Sequence, residues 1–402
     1  MPGPLAGIRV LDLTRVLAGP WAAQNLADLG AEVIKVERPK KGDDSRAFGP
    51  PWLKDAAGRD TTDSAYFACA NRAKKSITVD LANPQGQAIV RELAAKCDVL
   101  LENFKFGDLD RYGLAYKQLS TANPGLIYCS VTGFGHTGPW RERPGYDFMV
   151  QGMGGLMSIT GERDDRPGGG PQKAGIPIAD LITGMYASVA VCAALAHRAK
   201  SGKGQHLDLA LFDSLVAVLA NQGANYLATG EPPARLGNDH PNIAPYQVFR
   251  TKDGSLILAC GNDNLFRKFC AVAGCTTLPD DARFATNGTR VANRVELTRI
   301  LSEIFLKRST REWIEALEAA GVPNGPINDL KQVFDEPQAV ARGLRAQIGN
   351  VSLVRSPMRF SETPIEHQAP PPLLGQHTDE VLRGVLGKSE GEVARLRSEG
   401  II

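Results

Sequence analysis

"IRVLDLTRVLAGPWAAQNLADLGAEVIKVE", residues 8–37, decides the fold class. "IRVLDL", an apolar run broken only by Arg9 and Asp12, reads as a buried strand. "GPWAAQNLADLGA" reads as a helix opened by Pro20 and stopped by Gly30, and "EVIKVE" as a second strand. That is a βαβ opening. The pattern recurs downstream, with "KKSITVDL" as strand, "NPQGQAIVRELAAKC" as helix, and "DVLLENF" and "GLIYCSVTGFG" as further strands. The alternation predicts an α/β chain: a large Rossmann-like domain with a mainly parallel sheet and a site outside the strands' carboxyl ends.

A helix from about Asp180, the strand "QHLDLAL" and the helix "FDSLVAVLANQGANYLATG" complete this first domain, placed at 1–224. The texture then changes. "EPPARLGNDHPNIAPYQVF" is rich in Pro, Gly and Asn, and "YQVFRTKDGSLILAC" reads as a hairpin around Lys252, Asp253 and Gly254. A smaller α+β domain is placed at 225–330, and 331–402 as a linker that returns to the large domain.

The bulk numbers bound the function. The 402 residues are 43% hydrophobic, enough for two cores, and a net charge of +2 points to neither nucleic acid nor an anionic membrane. The N-terminal segment lacks the pattern of a secretory signal, so a cytoplasmic protein is expected. "LITGMYASVAVCAALAH" is apolar but falls short of the ~20 residues that span a bilayer, so a buried helix is expected. Seven scattered cysteines without a CxxC pair argue against disulfides or structural zinc. Six histidines, His367 among them, show no metal-binding spacing, so no metal is expected.

The βαβ opening invites a dinucleotide, with Glu37 on the ribose, but Gly19-Pro20 stands where a GxGxxG turn is needed. Basic residues instead gather near strand ends: Arg15, Arg38, Arg72 with Lys74 and Lys75, and Arg111. Such clusters suit phosphates; any one of them alone reads more readily as a solvated surface charge. A Gly-dense segment carries Tyr146, Asp147 and Gln151, and could run close past a ligand or form a surface loop. In "IPIADLITGMYA", Asp180 reads first as a helix cap and second as a carboxylate nucleophile.

Several long motifs in order resemble the class III CoA-transferase family, of the formyl-CoA transferase type. They include "LDLTRVLAGPWAAQNLADLGAEVIKVERPKKGDDSR", "NRAKKSITVDL", "VLLENFKFGDLDRYGL", "SVTGFGHTGPW", "PGYDFMVQGMGG", "IPIADLITGMYA" and "VPNGPIND". "APYQVFRTKDG" and "PPPLLGQHTDEVL" look most like the succinate and hydroxymethylglutarate subgroup, whose substrates are dicarboxylates. The resemblance implies a nucleophile at Asp180. It implies CoA contacts at Val16, Ala18, Arg38, Asn71, Lys74, Lys75, Asn103, Phe104 and Arg111. Tyr146 falls near the reacting thioester, with Arg15 and Gln151 in the same vicinity.

The implied chemistry is an exchange through a mixed anhydride and an aspartyl-CoA thioester. CoA thioesters serve as substrates, with no permanently bound cofactor and no metal. The implied assembly is an interlocked homodimer. A helix-start Asp180 is expected to have its pKa lowered by the helix dipole and to stay ionised. Two departures stand out: the glycine run of the formyl enzyme's small domain is shortened here to "ACGNDNLF" around Gly261, and Arg15 and Leu17 replace other polar residues. The related racemases pair the aspartate with a histidine in "GHD"; this chain reads "GYD", which removes the second base. A non-catalytic acyl-CoA binding protein would keep the fold and leave Asp180 as a cap.

Overall fold

The computed structural model describes residues 3–55, 57–365 and 369–402, so His367 of the metal reading lies outside the described residues. Six strands form one sheet: β1 (Arg9–Asp12), β2 (Glu32–Glu37), β3 (Lys74–Thr78), β4 (Val99–Glu102), β5 (Ile127–Thr132) and β6 (Gln205–Ala210). Their order is β3-β2-β1-β4-β5-β6 and every pairing is parallel. The strand order reverses between β1 and β4, which opens a crevice at their carboxyl ends.

The main helices are α1 (Ala18–Asp28), α2 (Pro84–Ala94), α3 (Asp147–Met153), α4 (Ile178–Ser201), α5 (Thr378–Gly384) and α6 (Glu390–Ser398). Successive strand residues point to opposite faces, so one sheet feeds two cores. Leu11, Ile34, Ile77 and Leu100 pack with Ile89, Val90 and Leu93 of α2 and with Val381, Leu382, Val393 and Leu396 of α5 and α6. Val10, Val33, Val99 and Leu101 pack on the other face with Ala22, Ala23 and Leu26 of α1 and Ala187 and Val191 of α4.

α1 begins at Ala18, two residues before Pro20, and ends where Gly30 turns at φ +97°. The early start is possible because residue 19 is Gly: a Cβ there would lie 2.3 Å from Thr14 Cγ2. α4 is longer than the sequence reading allows. At 24 residues it is long and apolar enough, by length and composition, to cross a membrane. One face of it is committed to protein instead, with Ala179, Thr183, Gly184, Ala187, Ser188, Val191 and Ala194 buried. Gly184 permits a close approach to α1, since a Cβ there would sit 2.6 Å from the Ala18 carbonyl oxygen.

The chain divides into two compact units, Met1–Leu156 with Ala174–Leu219 and Pro337–Ile402, and Met157–Lys173 with Ala220–Glu336. Residues 157–173, assigned by sequence to the first domain, belong to the second unit. Arg235 holds them there, donating to the Ser158 carbonyl at 3.1 Å and pairing with Asp164. The second unit contains the antiparallel sheet β9-β8-β7 of β7 (Tyr246–Arg250), β8 (Ser255–Ala259) and β9 (Asn324–Pro326), with the hairpin turn at Lys252–Gly254. Its core stacks Phe249, Phe269, Phe305 and Trp313.

Candidate active site

A cleft of ≈ 270 Å³ opens at the carboxyl ends of β1, β4 and β5, where the strand order reverses. Arg15–Ala18 line one wall after β1, Asn103–Phe106 follow β4, and Thr132 and Gly133 follow β5. Residues 141–146 and Asp180 complete it. Asn103 joins the first two segments: its Oδ1 accepts the Arg15 N–H at 2.9 Å and its Nδ2 donates to the Arg15 carbonyl at 2.7 Å. No side chain caps α1, so the positive end of that helix opens at Val16–Ala18.

Val16 has φ +70°, an uncommon conformation for a β-branched residue. A buried ion pair restrains it. Asp43 accepts from the Val16 N–H at 3.1 Å and from Lys35 Nζ at 2.8 Å, and Lys35 also donates to the Thr14 carbonyl at 2.8 Å. Burial raises the Asp43 pKa, but Lys35 and the backbone N–H donors of Ser45 and Val16 outweigh it and pull it down to about 2.

Asp180 lines the cleft as the third residue of α4, whose N-cap is Pro177. It is therefore not the cap. That role falls to Asp147, the first residue of α3: its Oδ1 accepts the Ala179 N–H at 2.7 Å and the Asp180 N–H at 3.4 Å. Gln151 Nε2 donates to the other Asp147 oxygen at 2.7 Å. The expectation of a lowered Asp180 pKa is overturned. Burial, reinforced by the Asp147 charge, pushes Asp180 up to about 7. Tyr146, 71% exposed, lines the same cleft just ahead of Asp147.

A smaller cleft of ≈ 190 Å³ shares Arg15 and Phe104 with the first and adds Arg38, Leu81 and Tyr112. Arg38 pairs with Asp44, and Arg111 pairs with Asp108 beside the Tyr112 ring. Val16, Ala18, Arg15, Arg38, Asn103, Phe104, Tyr146 and Asp180 thus line the two joined clefts, with Arg111 next to a lining residue.

Three predicted CoA contacts lie elsewhere. Asn71 and Lys74 are buried, with Lys74 Nζ bound to Asp12 at 2.9 Å, Asn71 Oδ1 at 2.9 Å and the Pro20 carbonyl at 3.0 Å. These partners fasten α1 to the sheet. Lys75 sits near the amino end of β3 and pairs with Glu32 and Glu380 at 2.8 and 2.7 Å, at the end of the sheet away from the cleft. Arg72 is likewise occupied, by Asp28 at 2.5 Å.

Gln151 is fully buried and holds the frame rather than the cleft, since it fixes Asp147 and accepts the Ala174 N–H at 2.8 Å. Gly261 precedes the helix Asp263–Ala273 in the second unit, and a Cβ there would meet open space. The sequence reading placed Asp147 only in a segment that could run past a ligand, not as the cap of the Asp180 helix, and gave no role to Lys35 or Asp43. Only contacts across 33 and 27 positions, to Asp180 and Val16, reveal them. Among the described residues, no group of His, Cys, Asp and Glu is arranged to hold a metal ion.

Residues 5–378 match the model of CoA-transferase family III. A succinate–glutarate CoA-transferase of Agrobacterium fabrum is 53% identical over 384 residues, covering 94% of this chain and 95% of the relative. The human succinyl-CoA:glutarate CoA-transferase is 44% identical over 404 residues, covering 99% and 90%. The crystal structure of a CAIB/BAIF family protein from Brucella suis superimposes with a TM-score of 0.85 at 49% identity, covering 96% of this chain and 100% of that one. With the family model matching nearly end to end and the same fold in a close relative, the chain belongs to CoA-transferase family III.

Proposed function

We propose that this enzyme moves CoA from succinyl-CoA or a similar acyl-CoA to a free dicarboxylate of the glutarate type, with Asp180 as the nucleophile. The observation that carries the reading is Asp180, a cleft carboxylate with no ion-pair partner among the described residues, standing in the crevice at the strands' carboxyl ends of a family III CoA-transferase. The names of its relatives support the substrate class.

In the proposed sequence, an Asp180 oxygen attacks the thioester carbonyl. The C–S bond breaks, CoA leaves as thiolate, and a mixed anhydride remains. The thiolate returns to the Asp180 carbonyl carbon, releasing the donor acid as carboxylate and leaving an aspartyl-CoA thioester. The acceptor carboxylate then runs the two steps in reverse. Each exchange conserves one activated acyl bond, so the reaction needs no bound cofactor.

The open end of α1 and the backbone at Gly133 and Gly145 line the cleft, and their N–H groups are assigned to the tetrahedral oxyanions. CoA is assigned to Val16, Ala18, Arg38, Asn103, Phe104 and Arg111, which spares the ion-paired lysines. A homodimer fits the exposed apolar side of α4, where Met185, Tyr186 and Val189 face outward.

The test is a donor-by-acceptor exchange panel followed by hydroxylamine trapping and peptide mass spectrometry. An acyl-CoA-dependent hydroxamate on Asp180 supports the mechanism. Exchange that proceeds with Asp180 unmodified, or in Asp180→Asn, overturns it.

A further inference from the structure

The cleft of Asp180 is lined by four cations, Arg15, Lys105, Arg141 and Arg143, and they are not equivalent. Arg15 pairs with Asp44 at 3.7 Å, and Arg141 reaches Glu142 at 3.4 Å. Arg143 has no carboxylate partner among the described residues, and its guanidinium donates no hydrogen bond there. It is nevertheless held in place. The guanidinium carbon lies 5.6 Å from the Phe134 ring centre and 5.5 Å from that of Trp140, and the two rings stand edge to face at 5.3 Å. Stacking orients a guanidinium while leaving its N–H fork free.

The backbone beneath Arg143 is fixed as well. Its N–H donates to the Trp140 carbonyl at 2.8 Å. Two residues on, Gly145 rests on Gly133 at the end of β5, so closely that a Cβ on Gly145 would lie 2.3 Å from the Gly133 Cα. Asp147, which caps the helix of Asp180, follows after Tyr146. One short segment, 143–147, therefore carries both the free cation and the clamp on the nucleophile.

The geometry points to Arg143 as the residue that selects the acceptor, by binding the second carboxylate of a dicarboxylate whose first carboxylate reacts at Asp180. The assignment rests on the CoA-transferase reading above. A planar fork matches a carboxylate with two parallel hydrogen bonds, which a monocarboxylate acceptor cannot use. Lys105 is the other cleft cation without an acidic partner among the described residues. It follows Phe104 on the wall shared with the second cleft, which suits a CoA phosphate rather than the acceptor.

The experiment compares wild type, Arg143→Met, Arg143→Lys and Lys105→Met, each first checked for an unaltered melt. CoA affinity and kcat/KM for glutarate and for butyrate, with succinyl-CoA as donor, are then measured. The expected result is a fall of at least about tenfold in the glutarate-to-butyrate ratio for Arg143→Met, a smaller fall for Arg143→Lys, and CoA affinity unchanged in both. Lys105→Met should weaken CoA and leave the ratio alone. An unchanged ratio in Arg143→Met, or a loss shared equally by both acceptors with weakened CoA, overturns the assignment. A wild type that transfers CoA to no acid overturns the underlying reading instead.

Discussion

Asp147 caps the helix that carries Asp180, and in doing so places a second carboxylate beside it. One Asp147 oxygen takes the first-turn N–H groups of Ala179 and Asp180, and the resulting charge helps raise Asp180 to about 7. Asp147→Asn keeps an acceptor oxygen for the helix but removes the charge. The acid limb of kcat/KM against pH should therefore move below that of wild type. Asp147→Ala should lose the cap too, costing about 1 kcal/mol of stability and lowering activity at every pH. A limb that stays put in Asp147→Asn would show that Asp147 acts through geometry alone.

Asp180→Asn should lower exchange by about a thousandfold or more while retaining CoA binding. It should also alter stability. A carboxyl raised from 3.8 to about 7 holds its proton in the folded chain over a range where the unfolded chain has lost it. Stability then falls as pH rises from about 4 to 7. The Asn variant lacks that fall, so thermal melts should show it gaining on wild type at pH 8 and converging with it near pH 4.

Asn103→Ala should cut both hydrogen bonds between the loops after β1 and β4. The wall shared by the two clefts loses its staple. KM for the acyl-CoA should rise about tenfold, with a smaller change in kcat. Steady-state kinetics at saturating acceptor separates the two effects; a change confined to kcat would contradict this role.

Lys35→Met leaves Asp43 buried without its cation, a loss of about 3–5 kcal/mol. The midpoint of urea unfolding should fall accordingly. The pH dependence has its own sign: Asp43 is depressed from 3.8 to about 2. Its contribution is fully present above about 4 and disappears as pH drops through 2. Acid titrations of wild type and Lys35→Met should therefore draw together at the lowest pH.

The fold is legible in the sequence where local pattern suffices. Apolar runs and the Gly30 stop announce β1, α1 and β2 within thirty residues, because strand and helix periodicities are local properties. Long-range partners are not encoded this way. Lys74 reads as a phosphate ligand by its charge, yet Asp12, 62 positions earlier, claims it. Asp180 reads as its own helix cap because the N-cap position is misjudged by three residues, Asp180 for Pro177, and the side chain that does the capping lies 33 positions upstream. The recognisable motifs single out Asp180; the burial that raises its pKa, and the Asp147 charge that adds to it, come from tertiary packing.

The large unit is assembled from three separate pieces of chain, and the last of them is structural. The N–H of Asp80 donates to the Ile401 carbonyl at 2.7 Å, His377 donates its backbone N–H to the Ser76 carbonyl at 2.9 Å, and Arg46 reaches the Pro372 carbonyl at 3.1 Å. During synthesis, residues 220–336 leave the ribosome before any of these tail partners exist. The second unit has all its residues in hand and can fold first, while the sheet that bears the cleft waits with one face only partly covered, by α2. A nascent chain halted anywhere before α5 would leave Leu11, Ile34 and Ile77 with α2 but without Val381, Leu382, Val393 and Leu396, so the core on that face closes only when the last piece of chain arrives.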